Sequence, residues 1–328
     1  GKTTTKELIN VVLSKKFKTK ATIGNLNNHI GVPLTLLSFN SETEFGIVEM
    51  GANHKKEIEF LCELATPDYG YITNFGKAHL EGFGGVEGVV IGKSEMYDYL
   101  SQNDKLAFIN LEDAIQVEKA KTLKSFSFGV NKEMANVNIN SIAANPFVEI
   151  QFSNHLIQTH LIGLYNANNI NAALTIGKYF GVDDLEIKEA LESYIPENNR
   201  SQLITKGTNR IILDAYNANP SSMSVAVENF LQLNDSNKIM ILGDMFELGN
   251  ESPQEHKVLI DFLNDKKDVV IYFIGKEFYN QRTDSANYWF FETFNTFSEY
   301  LSGNKIENSS ILIKGSRGMA LERTLQFL

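Results

Sequence analysis

Gly1, Lys2 and Thr3 open the chain, followed by Thr4, Thr5 and the helix-like run KELINVVLSKK. Glycine, lysine and a hydroxyl residue ahead of a helix are the closing positions of the phosphate loop G-x-x-x-x-G-K-[ST]. In that loop backbone amides cradle phosphate, the lysine reaches the outer phosphates and the hydroxyl meets Mg²⁺. The early glycine and the strand before it are absent, so the motif is half present. Further residues suited to phosphate or metal chemistry stand where apolar runs stop: Glu49 closes FGIVE, His79 follows YITNFGKA, Asp214 closes RIILD and Asp244 closes KIMILGD. Lys314, Ser316 and Arg317 follow ILI in the same way. Each has a plainer reading. A carboxylate there also caps a helix, and a histidine is also held by structural hydrogen bonds.

Lys93 is the sharpest of these residues. In the helical run after Gly85, Val86, Val89, Val90, Tyr97 and Leu100 follow the three-to-four spacing of a buried stripe, and Lys93 falls on it. Either the lysine snorkels to water, or desolvation lowers its pKa and frees a neutral amine for chemistry.

The elements that must hold these residues are short apolar runs alternating with amphipathic helices. EFGIVEM, DYGYITNF and KLAFIN read as strands between helices; RIILDAY, KIMILGDM, DVVIYFIG and SSILIKGSR form a second strand–helix series. Such alternation predicts parallel sheets and an α/β fold in both halves, with ligands at the carboxyl ends of the strands. From about Phe126 to Leu161 the pattern alternates without helical period, predicting a small antiparallel section. Helices are predicted around Asn168–Phe180 and Asp184–Tyr194, and a helix after SSILIKGSR. The turn Pro196–Asn199 separates domains 1–196 and 197–328.

Composition narrows the partners. The 328 residues are 43% hydrophobic and 21% charged, with 30 basic against 40 acidic side chains and a net charge of −10. Without a basic stripe, this points away from nucleic acid and toward a small or phosphorylated substrate carried with Mg²⁺. The single cysteine, Cys62, permits no internal disulfide and suits a reducing cytoplasm. No apolar run approaches the roughly 20 residues of a membrane span, and no signal peptide stands before the first helix.

Taken together, the segments GKTTTKELI, GNLNNHIGVPLTLL, EMGANHKKEI, ITNFGKAHLEGFGGVEGV, GKSEM, DAYNANPSSM, LGDMFELG and IKGSRGMALER resemble the Mur ligases, the ATP-dependent amide-forming enzymes of peptidoglycan assembly. The resemblance implies a central P-loop ATPase domain and a Rossmann-like C-terminal domain. The family's N-terminal UDP-sugar domain is expected to be missing, and the chain to begin inside the phosphate loop. Tyr216–Met223 and Gly243–Gly249 are similar to the member that adds D-alanyl-D-alanine to UDP-N-acetylmuramoyl-tripeptide, a cytoplasmic reaction expected of a monomer.

By position, the resemblance implies that Gly1, Lys2, Thr3 and Thr4 hold ATP phosphates, with Thr3 and Glu49 on one Mg²⁺. His79 would ligate a second Mg²⁺, and Lys93 would carry a CO₂-derived carbamate that bridges the metals. Asn166 and Asn169 would hold adenine, although Tyr165 stands where a histidine is usual. Arg200 would reach the ATP phosphates, although Asn199 replaces a usual glycine. Asp214 would contact the nucleotide. Asn28, Tyr216, Asn217, Lys314, Ser316 and Arg317 would lie near the peptide substrates.

Overall fold

Leu8, Val12 and Leu13 recur at helical spacing behind Gly1, and the segment forms α1 (Lys2–Leu13) with those side chains buried. In the computed structural model, which describes residues 1–76, 80–197 and 199–328, this helix begins the first of two compact units, Gly1–Ile195 and Pro196–Leu328. The first unit continues through β1 (Thr19–Ala21), α2 (Gly31–Leu37), β2 (Phe45–Ile47), α3 (Glu57–Ala65), β3 (Tyr69–Tyr71), α4 (Leu80–Phe83) and α5 (Val86–Gln102). Then come β4 (Leu106–Asn110), α6 (Ala114–Lys119), β5 (Lys124–Val130), β6 (Val137–Ile139), β7 (Ser141–Ala144), β8 (Phe147–Phe152), β9 (His155–Ile162), α7 (Ala167–Tyr179) and α8 (Asp184–Ser193).

Strands β1 and β2 pair in parallel, and β3-β4-β5-β6 form a parallel sheet. The predicted antiparallel section is smaller than expected. Only β7-β8-β9 are antiparallel, whereas β5 and β6 extend the parallel sheet. Alternation is strong in β8, where every second residue is buried, but weak in β5. Alternation marks a half-buried strand, not its direction. The core gathers Leu8, Val12, Phe108, Phe128, Ile170 and Leu174, so α1 and α7 share apolar neighbours with β4 and β5. Their close approach depends on Gly177, where a Cβ would stand 2.5 Å from Val12 Cγ1.

The second unit comprises β10 (Gln202–Lys206), β11 (Asn209–Asp214), α9 (Pro220–Gln232), β12 (Lys238–Gly243), α10 (Ser252–Leu263), β13 (Val269–Ile274), α11 (Lys276–Asn280), β14 (Tyr288–Phe291), α12 (Phe294–Gly303) and β15 (Ser310–Lys314). They build one sheet in the order β10-β11-β15-β12-β13-β14, parallel except for β10 against β11. The α/β reading therefore holds for both halves, with two edge strands, β10 and β14, that the alternation of long runs did not mark. The helix expected after β15 is instead two 3₁₀ segments, Arg317–Met319 and Leu321–Gln326. Among the described residues, no helix is long and apolar enough to cross a membrane.

Candidate active site

In the first unit the N-terminus of α1 stands free of acidic residues in its first turn, and its N-cap is Gly1, whose carbonyl accepts from Thr5 N–H at 2.8 Å. Helix-start amides left without an acidic cap suit an anion. Thr3 and Thr4 are buried there. The next residues fasten this turn to two other elements. Lys6 Nζ donates to the Thr22 carbonyl at 2.5 Å, just past β1. Thr5 Oγ1 donates to Asn169 Oδ1 at 3.0 Å, Asn169 Nδ2 to Asn166 Oδ1 at 2.9 Å, and Asn166 Nδ2 to the Ile162 carbonyl at 2.8 Å. The two asparagines thus form a buried ladder that locks α7 to the first turn of α1, with each amide already engaged.

Glu49 lies on the same edge, two residues past β2. Its N–H donates to Thr22 Oγ1 at 2.9 Å, and its Oε1 accepts from Asn27 Nδ2 at 2.8 Å. Its Oε2 is buried and accepts no hydrogen bond. Glu49 therefore caps no helix, and a buried carboxylate oxygen without a donor is what a hard cation satisfies. Thr22 ties Glu49 to α1, since its carbonyl accepts from Lys6 and its hydroxyl from the Glu49 N–H. Among the described residues no three His, Cys, Asp or Glu side chains group as a metal cage, and His79, expected as a ligand, lies outside the described residues.

Lys93 emerges from the middle of α5. Val89 and Leu100 on its stripe are fully buried, whereas Val86, at the helix start, is 45% exposed. The half-buried Lys93 side chain donates to the Asn74 carbonyl at 2.9 Å, beyond β3. Burial, and then the positive charge of Lys2, pull its pKa down to about 8 against a weaker opposing pull from Asp113. Burial is the larger of the two causes, and Lys93 shares its electrostatic surroundings with Lys2.

In the second unit, Asp214 and Lys314 are register partners at the ends of neighbouring strands β11 and β15. Lys314 Nζ donates to Asp214 Oδ2 at 2.6 Å and to the Asn217 carbonyl at 3.2 Å, while Asp214 Oδ1 accepts from Ser201 N–H at 3.1 Å. Lys314 is 2% exposed. Its buried ammonium is therefore engaged with a half-buried carboxylate, and removing Asp214 would strand the lysine. Arg200 stacks its guanidinium on Tyr216, 3.5 Å from the ring centroid. Asn199, standing where a glycine was expected, has φ +58°. Asparagine tolerates that left-handed conformation, so the loop keeps the backbone a glycine would give.

The remaining substrate candidates differ in what they have available. Asn28 is exposed, but its Oδ1 accepts from Ile30 N–H and Gly31 N–H at the start of α2. Asn217 is exposed, with its Oδ1 accepting from Ala218 N–H. Arg317 is exposed and pairs with Glu322 at 2.9 Å. Ser316 is buried, and its hydroxyl accepts from Phe246 N–H at 2.8 Å. Directly after Ser316 comes a three-residue 3₁₀ turn, Arg317–Met319, in place of the predicted helix.

Asp244 caps a helix, although not the next one. Its two oxygens accept from Glu277 N–H and Phe278 N–H at the start of α11, both at 3.0 Å. Burial raises its pKa in spite of those two bonds. Sequence reasoning missed Asn27, Thr22 and Asn74, whose roles come from loop geometry. It also missed His256, a fully buried histidine on the stripe of Leu259, Ile260 and Leu263; a polar residue on an apolar helical face was the available signal.

Residues 1–177 match the Mur ligase middle domain family, and residues 199–317 match the family described as Mur ligase, glutamate ligase domain. The UDP-N-acetylmuramoyl-tripeptide--D-alanyl-D-alanine ligase of Bacillus subtilis is 31% identical over 336 residues, covering all of this chain and 74% of that protein. The ligase of the same name from Escherichia coli is 29% identical over 338 residues, covering all of this chain and 75% of its own. Among solved structures, MurF from Acinetobacter baumannii superposes with a TM-score of 0.88 at 32% identity, covering 99% of this chain and 73% of that one. MurF ligase from Thermotoga maritima in complex with ADP gives a TM-score of 0.85 at 26% identity, covering all of this chain and 77% of that one.

Proposed function

The chain belongs to the Mur ligase family, and from that premise we propose that it catalyses ATP-dependent addition of D-alanyl-D-alanine to UDP-N-acetylmuramoyl-tripeptide, a step of cytoplasmic peptidoglycan synthesis. The observation that carries this reading is the likeness to ligases of that activity across the whole length of the chain.

The chemistry follows from the leaving-group problem. A carboxylate does not accept an amine at neutral pH because oxide cannot leave. The terminal carboxylate of the tripeptide takes the γ-phosphoryl group of ATP, giving an acyl phosphate and ADP. The dipeptide amine then attacks the acyl carbon, inorganic phosphate leaves with the bonding pair, and the amine gives up a proton as the amide forms. Phosphoryl transfer needs positioning and charge neutralisation more than covalent help.

In this reading the amides at Gly1–Thr4 and the Lys2 ammonium bind and orient the phosphates, and Arg200 adds a second positive charge. The Asn166–Asn169 ladder acts by holding the start of α7 against the phosphate-binding turn, with Asn169 beside Gly1 where the nucleotide enters. Thr3, Glu49, His79 and Lys93 would hold two Mg²⁺, and the ions when bound offset the repulsion between carboxylate and phosphate. The orphaned Oε2 of Glu49 supports that set. Lys93 is assigned to carbamylation. Its amine nitrogen bonds to the carbon of CO₂ and releases a proton, which requires the neutral amine that burial favours. Asp214, held by Ser201 and Lys314, would contact the nucleotide.

The test is phosphate release by the intact ligase with Mg·ATP and UDP-muramoyl-tripeptide, with and without D-alanyl-D-alanine. Release that needs both substrates, with a pentapeptide product by mass, is expected. Release indifferent to the dipeptide would replace this reading with that of a sister ligase using another amine.

A further inference from the structure

His256 is fully buried and so can meet no substrate, yet it holds the loop that follows β12. Its Nε2 accepts from Met245 N–H at 3.0 Å, and its Nδ1 lies 2.7 Å from the Ser252 carbonyl. The amide must be the donor to Nε2, so the ring proton is on Nδ1, donated to Ser252. The 3.8 Å approach of Nε2 to Asp244 Oδ1 is then neither an ion pair nor a hydrogen bond.

One residue further on, Ser316 takes over. Its Oγ accepts from Phe246 N–H at 2.8 Å and donates to the Ala218 carbonyl at 3.3 Å, while its N–H donates to the Asp244 carbonyl at 3.1 Å. Three successive residues are thus fixed through their backbone: Met245 by the His256 side chain of α10, Phe246 by the Ser316 hydroxyl and Asp244 by the Ser316 N–H in the loop after β15. The same clamp brings in the β11–α9 loop through Ala218.

The clamped loop has an exposed product. The Phe246 ring is 43% exposed and stands on the wall of a cavity of about 500 Å³, with Phe294, Met319 and Arg323 among its other lining residues. Gly318 lies under that ring, where a Cβ would come within 2.8 Å of Phe246 Cε2. Backbone bonds hold Phe246 from behind, and Gly318 leaves the room its ring occupies.

We infer that His256 is a positioning residue for the site that receives the amine substrate: with Ser316 it fixes the Met245–Phe246 turn and thereby the apolar wall the substrate meets. This rests on the ligase activity proposed above and on the expectation that Lys314, Ser316 and Arg317, at and after the end of β15, lie near the peptide substrates. Ser316 acts in it through the loop and not as a substrate contact.

The test measures steady-state constants for ATP and D-alanyl-D-alanine in the intact ligase, with hydrogen exchange of residues 244–249, for His256→Leu, His256→Gln, Ser316→Ala and the Leu/Ala double variant. Glutamine can present its carbonyl where Nε2 stands; leucine cannot. Expected are a rise of about tenfold in the dipeptide KM for His256→Leu and for Ser316→Ala, with kcat and the ATP KM within about twofold. The double variant should be no worse than about the poorer single one, because both act through one loop. His256→Gln should restore the dipeptide KM and the loop's exchange protection. Should His256→Leu fail to fold, His256→Asn replaces it, since its shorter amide falls short of Met245. A wild-type dipeptide KM in the variant whose loop has lost protection would overturn the inference alone. Phosphate release indifferent to the dipeptide in the unsubstituted enzyme would overturn the reading and the inference with it.

Discussion

Lys93 and Cys62 show how the same physical cause, burial, gives opposite chemistry in two side chains of one unit. Burial lowers the Lys93 ammonium to about 8 and so favours the uncharged, nucleophilic form. Lys93→Ala is expected to lose about a hundredfold or more in phosphate release, with partial recovery when a short carboxylic acid is added; full activity would remove the carbamate role. For Cys62, burial raises the thiol from 9.0 to about 12, which favours the uncharged and here inert form. Native protein should resist thiol reagents at pH 8 and react fully in denaturant. The stability consequence has a definite sign. Below pH 9 both folded and unfolded thiols are protonated. Between about 9 and 12 only the unfolded chain loses its proton, so stability falls as pH rises through that window. Urea midpoints for wild type and Cys62→Ala should diverge there and run parallel below it.

Helix α7 packs against α1 and fastens its first turn through the Thr5–Asn169 bond. Gly177 permits that contact, and substitution by alanine brings two effects into competition. Alanine favours a helix interior by up to about 1 kcal/mol. Against this, its Cβ would stand 2.5 Å from Val12 Cγ1 and 3.1 Å from Ile187 Cδ1, in a core where overpacking costs about 1–3 kcal/mol. Gly177→Ala should therefore lower the melting temperature and raise the ATP KM, and Val12→Ala in the same chain should recover part of both. Long buried runs such as KIMILG, and helices with a full apolar stripe such as α7, were readable because periodicity reports burial directly. Strand direction was not, since alternation reports which face of a strand is buried and not which way its neighbour runs. The candidate site divides along the same line. Residues at strand ends were legible by position; Glu49 is buried with one oxygen unbonded, and burial lowers the Lys93 pKa. Lys314 and Ser316 were legible as polar residues where an apolar run stops. That they are buried and bonded inward depends on Asp214 and Phe246, which are distant in sequence.

At the scale of the chain, the two units close their sheets in different ways. The parallel sheet of the first unit adds β3, β4, β5 and β6 in the order in which they occur in the sequence. The second unit does not: β15 lies between β11 and β12, pairing with both, although it is the last strand of its sheet in sequence. A chain stopped after Asn308 should keep slow amide exchange in α1, α7 and β4 and lose it throughout β11 and β12. Retained protection of those two strands would mean that the sheet closes without its central member. The ribosome makes β15 after every other strand of that sheet. While it is being made, β11 and β12 face a gap one strand wide and present unpaired edges on both sides. The timing of translation, and not stability alone, therefore decides how long this half of the protein is open to association with other nascent chains. Slow codons between Gly303 and Lys314 would lengthen that exposure without changing a single residue.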